Sequence, residues 1–207
     1  MMKPAGPGFD DLDPDELEVF SAEDLPPTLR AVSRFAATLS QVNWFGNVGL
    51  PLGGEDLEAA RAYLDALGFP DATPAEVFDG LEAAEAAQNP EWNSAGWEAE
   101  EQLRVALAID AVDLAGDEEA VLVALTHVTS TAAGLVQMAA ESMARRFGLD
   151  DEGLIRAAAG AATQAAYQAA LVLAAGEDET HAFACKFRLF EQGRWPLGVA
   201  GNTLNIF

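Results

Sequence analysis

One cysteine, Cys185, stands in a chain of 207 residues, so no disulfide can close within it. With only two histidines, His127 and His181, ligands for a structural zinc site are also too few. A di-iron bundle needs two Glu-x-x-His pairs, and Asp178-x-x-His181 is the nearest approach to even one. The chain has no G-x-S-x-G elbow, no G-x-G-x-x-G after a strand and no loop ending in Gly-Lys-Ser/Thr, which removes three common enzyme classes. Glu98-x-x-Glu101 and Asp110-x-x-Asp113 have the spacing of paired magnesium carboxylates. At about 100° per residue, however, Glu101 and Asp110 point to opposite sides of one helix. We therefore expect no metal, no cofactor and no catalytic residue.

Positive charge is scarce as well. Eleven Lys and Arg face 34 Asp and Glu, a formal net charge of -23. Such a surface repels nucleic-acid phosphates and anionic lipid. The expected partner is a protein with a basic or neutral surface, or a small molecule, with self-association into a homo-oligomer also open and neither nucleic acid nor membrane favoured. Most of the acid lies early: residues 1–101 hold 21 acids against 4 bases. Residues 1–24, acidic and poor in large apolar side chains, read as a mobile or loosely docked arm, and 25–207 as a single helical domain. Met1-Met2-Lys3-Pro4 leads into Gly, Pro and Asp rather than an apolar run, so a cytoplasmic location is expected.

What the chain has in quantity is apolar sequence, 50% of residues, at helical spacing. Gly68, Gly116, Gly148, Gly176 and Gly193 stand where periodic segments stop and suit the left-handed position after a helix. Thr73-Pro74-Ala75-Glu76 reads as a capping box, and Asp117, Asp150 and Asp178 as further N-caps. These signals predict helices near 27–43, 54–67, 74–87, 94–115, 117–147, 151–175 and 179–192. Residues 180–192 also alternate well enough to be a strand. After Gly193, 197–200 and 203–207 read as a hairpin about Gly201-Asn202. The fold class expected is all-α: a bundle of about seven helices around the antiparallel pair 117–147 and 151–175, with a small C-terminal β-hairpin.

Ala120 to Ala140 and Ala157 to Gly176 lack formal charge and are long enough to span a bilayer. Their Thr, Gln and His content and the predominance of Ala favour a buried soluble hairpin instead. On the first of these helices His127, Thr131, Gly134, Met138, Glu141 and Arg145 share a face that is polar yet nearly uncharged, which implies that something covers it. An antiparallel turn near Leu149 pairs that face with a similar stripe of Arg156, Gly160, Thr163, Gln164, Tyr167 and Gln168. The expectation is a polar seam closed by a Glu141–Arg156 ion pair, with His127, Thr131, Glu141, Arg156, Gln164 and Tyr167 as candidate ligand contacts. Such a seam is either a satisfied hydrogen-bond network or a small-ligand cleft with His127 as its titratable group.

Trp44, Trp92, Trp97 and Trp195 all sit beside turn formers. With Asn47 and Arg194 they are the candidate partner contacts; the alternative is that the indoles plug the bundle ends. Lys186, Arg188 and Arg194 form one basic stretch, suited either to pairing with the acidic first half or to an anionic ligand. Two functions are in view: a non-enzymatic acidic binding or regulatory protein, or a small-ligand-binding protein or enzyme using the cleft between 117–147 and 151–175.

Overall fold

The computed structural model describes residues 25–87 and 94–207, so the acidic arm 1–24 and Trp92 lie outside the described residues. The described part is a helical bundle with a small sheet at its C-terminal end. In chain order it comprises α1 (Pro27–Thr38), a 3-10 turn (Leu39–Gln41), α2 (Gly54–Leu67), β1 (Thr73–Glu76), α3 (Gly80–Ala87) and α4 (Ser94–Ala115). There follow α5 (Glu118–Phe147), α6 (Glu152–Ala174), α7 (Ala182–Glu191), β2 (Pro196–Ala200) and β3 (Thr203–Ile206).

All five glycine stops adopt positive φ, from 65° at Gly148 to 91° at Gly68, which is where a Cβ is costly and glycine is not. The N-caps are partly other than expected. Asp117 caps α5 by accepting from Ala120 N at 3.0 Å. α6 is capped by Asp151 rather than Asp150, through Gly153 N and Leu154 N. α7 is capped by His181, whose Nδ1 accepts from Phe183 N, while Asp178 closes a turn on Thr180. Residues 182–191 are thus helix, which settles the choice left open for 180–192.

One expected helix start is replaced. Thr73–Glu76 is a strand, paired in parallel with β3 from Thr73 opposite Thr203 to Glu76 opposite Ile206, and α3 begins only at Gly80. The hairpin of β2 and β3 turns at Gly201-Asn202 as expected, and β1 makes it a three-stranded sheet in the order β1-β3-β2. Its inward residues Leu197, Val199, Leu204, Ile206 and Phe207 are all buried, so the strands are stabilised by the helices beneath them.

Two clusters of buried side chains result. The larger gathers α1, α5, α6 and the aromatic residues Trp44, Phe45, Phe183, Phe187, Phe190 and Trp195; the smaller joins α2, α7 and the sheet. α6 sits centrally, with α1, α4, α5 and α7 all packed against it. Its buried surface is largely alanine, from Ala158 through Ala174, which lets those neighbours approach closely. α5 is peripheral: 8 of its 30 residues are buried, against 12 of 23 in α6. The expectation of a buried hairpin therefore holds for α6 and not for α5. Among the described residues α5 is also the one helix long and apolar enough to cross a membrane, by length and composition.

Candidate functional site

The helix pair does carry a groove, of about 500 Å³, and α6 lines it with Arg156, Gly160, Thr163, Gln164 and Tyr167 as the sequence suggests. The α5 side differs. Its lining comes from Thr129, Ala133 and Gln137, not from His127, Thr131 or Glu141. The reason is amphipathicity: α5 turns Leu125, Val128, Ala132, Val136, Ala140 and Met143 inward, and Thr129, Ala133 and Gln137 flank that stripe. His127, Gly134 and Met138 lie on the opposite side and are exposed. The expected Glu141–Arg156 ion pair is absent; Glu141 accepts from Gln137 Nε2 at 2.8 Å and faces Arg145 at 4.0 Å, one turn along its own helix. The uncharged outer face of α5 is thus left to the surface rather than folded into a seam.

Most of the residues proposed as partner contacts are structural. Trp44 and Trp195 are buried, as the bundle-plugging alternative has it, and Trp44 Nε1 donates to Leu39 O at 3.2 Å. Arg194 is buried too. Its guanidinium donates to the carbonyls of Asn47, Leu50 (2.7 Å) and Pro51 (2.8 Å) and to Asp56 Oδ2 (2.8 Å), fastening the irregular segment 44–53 to the end of α7. Asn47 completes that clasp, its Nδ2 donating to Gln192 O and its N to Gly193 O. Gly193 permits the contact, since a Cβ there would come within 2.8 Å of Asn47 N. Trp44, Trp195 and Arg194 are thus enclosed, and Asn47 is tied into the same clasp, so these four hold the fold together rather than standing free at its surface. Among the described candidates Trp97 alone, 65% exposed, keeps its ring available.

Trp97 borders a cluster that sequence reasoning did not assemble. Glu100 on α4 accepts from both sides: Lys186 Nζ on α7 lies 2.8 Å from each oxygen, Gln168 Nε2 on α6 donates to Oε2 at 3.1 Å, and Tyr63 Oη on α2 donates to Oε1. Four helices meet on one carboxylate. Burial by itself would raise the Glu100 pKa; the Lys186 ammonium and the hydrogen bonds from Lys186, Tyr63 and Gln168 outweigh it and hold the carboxyl below its ordinary range. Burial first, then the neighbouring Glu100 charge, pushes Tyr63 well above a normal phenol, so it stays a donor. Lys186 also lies 5.9 Å from the centre of the Tyr63 ring.

The pairing of Lys186 with Glu100 and of Arg194 with Asp56 realises the reading in which the basic stretch neutralises the acidic first half. Arg188 instead meets Glu179 close by. A local sign of the Glu100 cluster was Gln168 itself, a polar residue set in the alanine run of α6. Among the described residues no group of three or more His, Cys, Asp or Glu is placed to hold a metal ion.

A second feature is apolar. Of the eleven large hydrophobic side chains exposed among the described residues, seven are on α4 and α5: Trp97, Val105, Ile109, Leu114, Leu122, Val123 and Met138. Val105, Ala108, Ile109 and Val112 line a shallow groove of about 400 Å³ with Asp113 and Glu118 at its edge. These observations define the class as a helical bundle with a part-buried ion-pair junction and an apolar groove on the α4–α5 flank. No family model matches the chain, and no curated protein or solved structure shows significant similarity to it.

Proposed function

We propose that this protein acts by binding, and that the α4–α5 flank receives an amphipathic helix of a basic protein partner. The observation that carries the reading is the apolar groove lined by Val105, Ala108, Ile109 and Val112, with Val105 and Ile109 exposed. Scattered apolar residues such as Leu114, beside Gly176, and Met138, on the outer face of α5, are ordinary on a protein surface, but apolar side chains gathered in a groove are a usual mark of a contact site. Val105, Ile109 and Val112 supply an apolar strip about two helical turns long, and Leu122 follows Glu118 by one turn.

Charge selects the occupant. Asp113 and Glu118 rim the groove, and Asp110 stands exposed on the same helix. Arg104, the one cation lining the groove, is committed to Glu101 at 2.5 and 2.8 Å. In a chain of net charge -23, a helix presenting Lys or Arg beside Leu or Ile complements this rim, whereas a second copy of the chain adds like charge. A cytoplasmic, soluble binding or regulatory protein fits that reading.

A test uses synthetic helices and backbone amide chemical-shift mapping. A Lys/Leu amphipathic helix should perturb 105–113 and 118–123, and a scrambled peptide of the same composition should not. Ile109→Asp should abolish the perturbation without altering the fold. Equal binding of the scrambled peptide or of a Glu/Leu helix would overturn the proposal. So would a dimer in sedimentation that Ile109→Asp dissociates, since the occupant would then be a second copy.

A further inference from the structure

Among the described residues the guanidinium groups of Arg30, Arg34 and Arg156 make no hydrogen bond or ion pair within the chain, whereas the other basic side chains are committed. Arg156 differs from the other two in lining the groove between α5 and α6. No acidic side chain lines that groove, although the chain has 34 acids against 11 bases. Glu152, one turn before Arg156, is not paired with it, and Glu141 turns instead to Gln137 and Arg145. An exposed, unpaired cation thus stands in an acid-free groove of about 500 Å³.

The groove is long and its cation is at one end. Because α5 and α6 are antiparallel, Gln137 stands at the Arg156 end and Thr129 toward Tyr167, about 16 Å away along α6. Ala133, Ala159 and Gly160 lie between, too small to interrupt the floor. The hydroxyls are used on the helices themselves: Thr129 donates to Thr126 O at 2.9 Å and Thr163 to Ala159 O at 2.8 Å. Gln164 makes no bond within the fold, but an exposed amide offers donor and acceptor alike and selects neither sign of charge. Arg104, close to Tyr167, is held by Glu101. We infer that this groove is a binding site for an elongated amphipathic monocarboxylate. Its head pairs with Arg156 in the fork geometry that guanidinium and carboxylate share, and its apolar chain lies along the alanine–glycine floor toward Tyr167. The net charge of -23 opposes an anion at long range, but physiological salt screens that field beyond about 8 Å, which leaves the choice to the charge inside the groove. The site is separate from the α4–α5 flank and does not depend on it.

The probes are octanoate, 1-octanol, octylammonium and acetate, titrated against the full chain at physiological ionic strength and followed by backbone amide chemical shifts. Octanoate should bind saturably, perturb 129–137 and 156–167, and bind about tenfold or more tightly than octanol or octylammonium. Acetate, the head without the chain, should not saturate in the same range. Arg156→Gln removes a side chain that nothing in the fold uses and should bring octanoate down to the level of octanol. Gly160→Met puts a side chain where an added Cβ meets nothing within 4 Å, so it should fill the floor and weaken octanoate and octanol alike. If that variant does not fold, Arg156→Gln and the four probes on the native chain decide. Octylammonium binding as well as octanoate would overturn the inference, as would an Arg156→Gln variant that keeps full octanoate affinity. Acetate binding as tightly as octanoate would mean an adventitious ion only, and shifts confined to 105–123 would put the chain on the α4–α5 flank; either result overturns the site, and so does the absence of saturable octanoate binding.

Discussion

α5 and α6 are neighbours in sequence and alike in composition, long, alanine-rich and nearly free of charge through their middles, yet they meet opposite environments. α6 is enclosed by α1, α4, α5 and α7, while α5 gives one stripe to the core and leaves His127, Gly134 and Met138 in the open. Composition therefore does not decide burial here; position in the bundle does. A helix walled on several sides can bury alanine all round, whereas a peripheral helix buries its largest apolar stripe and exposes the rest, charged or not. On α6 the uncharged residues are mostly enclosed, apart from the groove side that carries Gly160 and Gln164, and on α5 those outside the core stripe form a surface that neither folding nor charge has claimed.

The largest effect expected from this contrast is at the polar group α6 does bury. Lys186→Met leaves Glu100 among Tyr63 and Gln168 with no cation. Breaking a buried pair costs about 3–5 kcal/mol, and the partial exposure of Lys186 and Glu100 reduces this to about 2–3. Adding Glu100→Gln should restore most of the loss. The pH dependence should also change sign. In the native chain Glu100 sits below its ordinary value of 4.5, so its contribution is complete above that pH and is lost as pH falls through the lower folded value. Without Lys186, burial raises the carboxyl instead, and stability falls as pH rises through and beyond 4.5. Urea melts of the three proteins between acid and neutral pH measure this; parallel profiles would show that the junction contributes nothing through its charges.

A second comparison puts the same substitution on both helices. Ala166 on α6 is fully buried, and Ala166→Leu should cost about 1–3 kcal/mol by forcing the packed neighbours apart. Ala133 on α5 is exposed at the groove, and Ala133→Leu should change stability by less than about 0.5 kcal/mol. Similar losses at both positions in denaturant melts would show α5 to be as enclosed as α6.

Helix ends were legible in the sequence because their signal is local: the left-handed residue after a helix is nearly always glycine, and all five stops fall there. Thr73–Glu76 failed for the converse reason. Its side chains satisfy a capping rule, but its backbone is claimed by β3, some 130 residues later, and no local pattern announces that partner. The same limit hid the Glu100 junction, whose members Tyr63, Glu100, Gln168 and Lys186 come from four helices. The α5–α6 groove was half legible. The polar stripe on α6 lines it, but the missing charge on the outer face of α5 reads as cover only while packing is unknown; the larger apolar stripe is the one that packs.

The smallest effect expected separates an open groove from a sealed seam. Gly134 on α5 and Gly160 on α6 both interrupt helices, where glycine costs roughly 0.5–1 kcal/mol relative to alanine. A conserved-volume seam between packed helices would forbid a side chain at such positions. Here an added Cβ meets nothing within 4 Å at either one, although Gly160 lines the groove facing α5. Gly134→Ala and Gly160→Ala should therefore each stabilise by about 0.5–1 kcal/mol, with the double variant close to additive because neither new methyl has a neighbour to disturb. At about 2–4 °C per kcal/mol for a chain of this size, the gain is measurable by thermal melting. A loss at Gly160 alone would mean that the helices close on each other in solution and that the groove is a seam after all. A loss at Gly134 alone would mean that the outer face of α5 is covered, and the difference between the two helices would shrink accordingly.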